Sequence, residues 1–163
     1  MLDELRDLYQ EVILDHGKRP RNLRHPPESN RQAHGHNPMC GDQLTVYLVV
    51  NPDGIVRDVA FEGKGCAISV ASASIMTEIL KGKTEVQARV LFSSLHALCT
   101  GEDDSETEGP EQDPSILAGL GEELERVQVL AGVRQFPVRV KCATLAWHTM
   151  IAAIDGDEIA STE

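Results

Sequence analysis

Apolar positions recur at Leu2, Leu5, Leu8, Tyr9, Val12 and Ile13, the three-and-four spacing that turns one face of a helix toward a core. That helix is predicted to end near Asp15-His16-Gly17, where a glycine and a basic side chain suit a C-terminus. Residues 18 to 39 are rich in proline, glycine and polar side chains and read as a long connecting loop. The β-branched and aromatic run Gln43 to Val50 predicts a strand, Asn51-Pro52-Asp53-Gly54 a turn, and Ile55 to Phe61 a returning strand. A third strand is expected before Cys40, near residues 33 to 36.

Beyond Gly63-Lys64-Gly65 the pattern becomes helical from Cys66 to about Leu80, with small residues at Ala67, Ser69, Ala71, Ser72, Ala73 and Ser74. Such a surface lets another backbone come close. Thr84-Glu85-Val86-Gln87 has the spacing of a capping box and opens a helix to about Leu98. Residues 116 to 131 are predicted helical, and a last helix runs from near Val138 to Ile154. The expected fold is α+β: a small antiparallel sheet of about three strands, an N-terminal helix and several C-terminal helices.

With 163 residues and no visible linker or repeat, residues 1–163 are expected to form a single domain. The net charge of −11 argues against nucleic acid as a partner, because phosphate binding needs clustered Lys and Arg. Much of that charge is local. Glu102, Asp103, Asp104, Glu106, Glu108, Glu111 and Asp113 mark an acidic inserted loop at about 101–115. No apolar run is long enough to span a bilayer. The acidic, amphipathic start lacks the basic and apolar regions of a signal peptide, so a cytoplasmic protein is expected.

In that setting cysteines are better read as metal ligands or reactive thiols than as disulfides. Cys40 and Asp42 flank Gly41 ahead of a strand, Cys66 follows Gly63-x-Gly65 at a helix start, and Cys142 lies in the first turns of the last helix. Three thiolates and a carboxylate suit a tetrahedral zinc ion. Spread from residue 40 to residue 142, they meet only through the tertiary fold. The competing reading is buried cysteines beside a turn aspartate. Cys99, at helical spacing with Leu91, Leu95 and Leu98, is expected to be a packing residue. His34 and His36, in the polar loop, are alternative ligands. His16, His25, His96 and His148 are expected to be structural or exposed.

Several motifs together resemble the IscU/NifU N-terminal-like iron–sulfur cluster assembly proteins. They are Asn37-Pro38-x-Cys40-Gly41-Asp42, Gly63-x-Gly65-Cys66-Ala67-Ile68-Ser69 with Ala71-Ser72-Ala73-Ser74, Arg139-x-Lys141-Cys142-Ala143, and the opening Asp15-His16…Pro20-Arg21-Asn22. Scaffold members of that family typically carry a histidine directly before the third cysteine, where this chain has Lys141. That substitution and the acidic insertion resemble the SufU branch of zinc-dependent sulfurtransferases.

The resemblance implies Cys40, Asp42, Cys66 and Cys142 as zinc ligands, a SufS-type cysteine desulfurase as partner, and downstream iron–sulfur assembly proteins as recipients. It implies that Cys40 leaves the metal, is replaced there by a desulfurase histidine, and accepts persulfide sulfur. The protein would then be a sulfur-transfer protein rather than a stand-alone enzyme. The alternative it carries is a scaffold holding a transient Fe–S cluster on the same ligands. Arg139 and Lys141 either steady developing negative charge or are simply exposed.

Overall fold

The structure is a computed structural model that describes residues 2–38, 41–100 and 119–161. Helix α1 spans Leu2–Lys18, with Val12 and Ile13 packed against the core as the apolar spacing requires. The segment 18–39, read as a loop, instead ends in strand β1, Arg31–Asn37. Its buried positions are Ala33, Gly35 and Asn37, two of them too small or polar to register as an apolar alternation. The third strand expected near residues 33 to 36 is this one.

Strands β2 (Asp42–Val50) and β3 (Val56–Lys64) form the predicted hairpin. The sheet order is β3-β2-β1-β4, where β4 (Ile159–Ser161) adds a short parallel edge beside β1. That fourth strand is too brief to leave a sequence signal. Along β2, Asp42, Leu44, Val46, Leu48 and Val50 are all buried, so the aspartate points to the same side as the apolar core residues.

Helices cover that side. α2 (Ala67–Leu80) and α3 (Glu85–Thr100) follow the sheet. The predicted capping box of α3 is present: Thr84 N–H donates to Gln87 Oε1 at 3.0 Å and Gln87 N–H to Thr84 Oγ1 at 3.1 Å. α4 covers Gly121–Val127, and the helix foreseen to continue through Ala131 tightens into a 3-10 segment, Gln128–Gln135. α5 runs Pro137–Asp155 and stops at Gly156 in the left-handed conformation, a usual helix terminator. The acidic loop and the start of the 116–131 segment lie outside the described residues.

Two contacts fix the helices over the sheet. A Cβ on Gly35 would fall 1.9 Å from Thr149 Oγ1, so α5 sits directly on β1. Ser72 Oγ donates to the Ala143 carbonyl at 2.5 Å and accepts from Trp147 Nε1 at 3.0 Å, clamping α2 to α5 through the small-residue face. Two residues further along α2, His16 Nδ1 lies 2.7 Å from Ser74 Oγ and Arg21 N–H donates to the same oxygen at 2.8 Å. Asn22 Nδ2 donates to Thr77 Oγ1 at 3.0 Å. The Asp15-His16…Arg21-Asn22 motif is thus an anchor for α1 rather than part of a reactive site.

Candidate metal centre

Three chain segments end at one place. β2 begins with Asp42, β3 leads through Lys64 and Gly65 to the α2 N-cap Cys66, and α5 delivers Cys142 from its second turn. One ligand atom from each of Asp42, Cys66 and Cys142 lies within 4.8 Å of the others. Asp42 and Cys142 are buried and Cys66 is half-buried. The fourth predicted ligand, Cys40, lies outside the described residues. On either side of it, Gly41 N–H donates to the Asn37 carbonyl at 2.9 Å, and Asn37 pairs with Asp42 across the β1–β2 ladder.

Glycines create the close approach. Gly63 has φ +139, and a Cβ there would lie 2.1 Å from the Gln43 carbonyl oxygen. Only glycine lets β3 run this close to β2 before turning toward α2. A Cβ on Gly65 would be 3.1 Å from both Asp42 Oδ1 and Ser69 Oγ, so that glycine leaves clearance for the carboxylate. Gly41, at φ +73, permits the turn into β2.

Hydrogen bonds then orient the donors. Cys66 N–H donates to Asp42 Oδ1 at 2.9 Å, and Oδ2 stands 3.9 Å from Cys66 Sγ. One carboxylate oxygen is therefore occupied by the backbone while the other faces the sulfur. Ser69 N–H donates to Cys66 Sγ at 3.5 Å, and Asn37 Nδ2 lies 3.8 Å from Cys142 Sγ. Bonds of about 2.0–2.3 Å in a tetrahedral site separate its corners by about 3.3–3.8 Å. The donor spacing needs little contraction to match that, and two thiols with a carboxylate are a donor set for zinc or iron.

The exposed Arg139 lies one turn before Cys142. Its guanidinium is held above its ordinary pKa, first by its electrostatic interaction with Cys66 and then by hydrogen bonding to Cys142. Of the two basic residues in Arg139-x-Lys141-Cys142, the arginine is the one engaged with both sulfurs. His34 and His36 do not join the cluster. They lie on β1, with their side chains on the opposite face from Gly35 and Asn37, and His34 Nδ1 meets Thr45 Oγ1 at 3.1 Å. Cys99 is buried with its sulfur 3.9 Å from the Leu130 carbonyl, a packing residue as expected. Asn37 and Ser69 stood inside recognisable motifs, yet their second role beside the sulfurs is visible only in three dimensions.

The NifU-like N terminal domain profile matches residues 8–106. The zinc-dependent sulfurtransferase SufU of Bacillus subtilis is 37% identical over 154 residues, covering 93% of this chain and 92% of that protein. The chain belongs to the NifU-like N-terminal domain family. The iron–sulfur cluster assembly scaffold protein IscU of Streptococcus pyogenes is also 37% identical, over 94% of this chain and 86% of its own. Among solved structures, a SufU from Fervidobacterium islandicum, described as a putative assembly scaffold for the SUF system, superposes with a TM-score of 0.68 at 29% identity, covering 88% of this chain and 94% of its own. The three-stranded antiparallel core with its N-terminal and C-terminal helices is the fold of these relatives. Among the described residues, no helix is long and apolar enough to cross a membrane.

Proposed function

We propose that the protein is a zinc-dependent sulfurtransferase that takes persulfide sulfur from a SufS-type cysteine desulfurase and relays it, in the cytoplasm, for iron–sulfur cluster assembly. The observation that carries this reading is the convergence of Asp42, Cys66 and Cys142 within 4.8 Å, with Arg139 beside both sulfurs. Lys141 in place of the histidine typical of scaffold members supports it, as does the likeness to the Bacillus subtilis sulfurtransferase.

In this reading Cys66, Cys142 and Asp42 hold the metal together with Cys40. Zinc, when bound, keeps thiols ionised near neutral pH without redox chemistry of its own. Cys66 and Cys142 are the fixed donors, one at a helix N-cap and one inside a helix. Cys40, the residue directly before Gly41, carries the sulfur. Its thiolate attacks the terminal sulfur of the desulfurase persulfide. A new S–S bond forms on Cys40, the old one breaks, and the desulfurase cysteine leaves as a thiolate. Arg139, engaged with Cys66 and Cys142, would steady the thiolate charge of the site during that exchange.

The second reading, a scaffold on which an Fe–S cluster is assembled, is favoured by the equal identity to a protein named IscU. Metal analysis with a desulfurase assay on wild type and Cys40→Ala separates the two. About one zinc per chain, and desulfurase stimulation that Cys40→Ala abolishes, are the expected results. Bound iron and sulfide without stimulation would establish the scaffold instead.

A further inference from the structure

Ser69 is fully buried, and its hydroxyl has no hydrogen-bond partner among the described residues. Buried polar groups are nearly always satisfied, so an orphan calls for a reason. Its position supplies one. With Cys66 as the α2 N-cap, Ser69 is the third helical residue, whose side chain in a capping box reaches back to the N-cap amide. The same chain shows a completed box at Thr84 and Gln87. At α2 only half of it forms: Ser69 N–H reaches Cys66 Sγ, while the Cys66 amide has gone to Asp42 Oδ1.

The carboxylate thus holds the N-cap amide, and the Ser69 hydroxyl is left without a partner among the described residues. What remains is an O–H donor in the first turn of α2, beside Gly65 as Asp42 Oδ1 is, on the residue whose own amide already reaches the sulfur of Cys66. We infer that Ser69 is a positioning residue whose hydroxyl donates to the Cys66 thiolate when the site is charged with metal. This rests on the metal-site reading above and adds a division of labour to it. A thiolate that already accepts the Ser69 amide and then accepts its hydroxyl is less basic and a weaker nucleophile. Cys66 is thereby kept on the metal, leaving Cys40 as the sulfur that departs.

The test replaces zinc by Co2+ in wild type, Ser69→Ala and Ser72→Ala and records the thiolate-to-cobalt charge-transfer band. Ser72 is a buried hydroxyl of the same helix whose bonds go to Ala143 and Trp147, so its variant reports a purely structural disturbance. Losing a hydrogen bond to sulfur raises the energy of the sulfur electrons. Ser69→Ala is therefore expected to move the band to longer wavelength while Ser72→Ala leaves it in place. An unmoved band in Ser69→Ala, or an equal movement in both variants, overturns the inference. Absence of any thiolate band in the wild type would instead overturn the metal-site reading.

Discussion

The backbone amide of Cys66 donates to Asp42 Oδ1 at 2.9 Å, tying the start of α2 to the start of β2 across 24 residues. Asp42 is 1% exposed, so this oxygen is no solvated surface group. The other oxygen, Oδ2, is the one turned toward Cys66 Sγ. One side chain therefore serves the fold with one atom and turns the other toward the sulfur.

Asp42→Asn and Asp42→Ala separate those two duties. Asparagine keeps a carbonyl oxygen for the Cys66 amide but not the charge, and is expected to fold normally while losing zinc. Alanine also strands the amide, a further loss of about 1–3 kcal/mol. Zinc content and urea midpoints check this; equal zinc retention in wild type and Asp42→Asn would remove Asp42 from the ligand set.

Gly63 is expected to be intolerant of any side chain. Its φ of +139 is open to glycine, and a Cβ would strike the Gln43 carbonyl oxygen at 2.1 Å and the Leu44 Cα at 2.8 Å, both backbone atoms that cannot swing aside. Gly63→Ala should cost about 2–4 kcal/mol, lowering Tm by roughly 5–15 °C. By contrast, Gly82→Ala, at a positive φ but with nothing near its Cβ, should cost only the backbone strain. A thermal melt of the two variants that failed to rank them so would discount the close β2–β3 approach.

Much of this was legible because the chemistry is local. The β2–β3 hairpin announces itself through Asn51-Pro52-Asp53-Gly54, and the α3 cap through Thr84 and Gln87. Asp42 and Cys66 each stand beside a glycine and Cys142 in the first turns of a helix, which marks them one by one. β1 was only faintly marked, because its inward positions are Ala33, Gly35 and Asn37. Gly35 is small because Thr149 of α5 presses on it, a reason that exists only after the helix has docked. The orphaned hydroxyl of Ser69 is likewise defined by what Asp42 does to its neighbour. No reading of residues 66 to 69 alone reveals it.

Acid should loosen the helical layer before Asp15 and Asp58 titrate. Burial holds His16 and His148 below the usual imidazole pKa, with Arg21 adding to the effect on His16 and His96 to that on His148. Above about pH 6.5 both are neutral in folded and unfolded chains and contribute no pH dependence. As pH falls through about 6.5, the unfolded chain takes up protons that the folded one refuses, so stability declines until the lowered folded values are reached. Asp15 and Asp58, whose pKa values are lowered chiefly by hydrogen bonds from Arg21 and Arg24, lose their contribution only below about pH 4. Urea midpoints at about pH 7.5 and about pH 5.5 isolate the histidines. His148→Gln, in the Phe92–His96–His148 ring cluster, should flatten part of that slope, and an unchanged slope would exonerate it.

Arg139 tests whether the site moves charged sulfur or only stores a metal. Its side chain is exposed and engaged with Cys66 and Cys142, and the buried Cys142 sulfur keeps Asn37 Nδ2 at 3.8 Å when the guanidinium is removed. Arg139→Gln is expected to fold and to keep its zinc. Desulfurase-driven sulfur transfer should slow on the order of tenfold, less than the hundredfold or more lost with a buried oxyanion donor, because solvent already screens this charge. Arg139→Lys should recover only part, since an ammonium lacks the planar fork that spans two acceptors. Salt should weaken wild-type transfer more than transfer by Arg139→Gln, because the screened attraction is missing from the variant. If transfer by Arg139→Gln equals wild type at low salt while zinc is retained, the guanidinium is a bystander to the sulfur exchange.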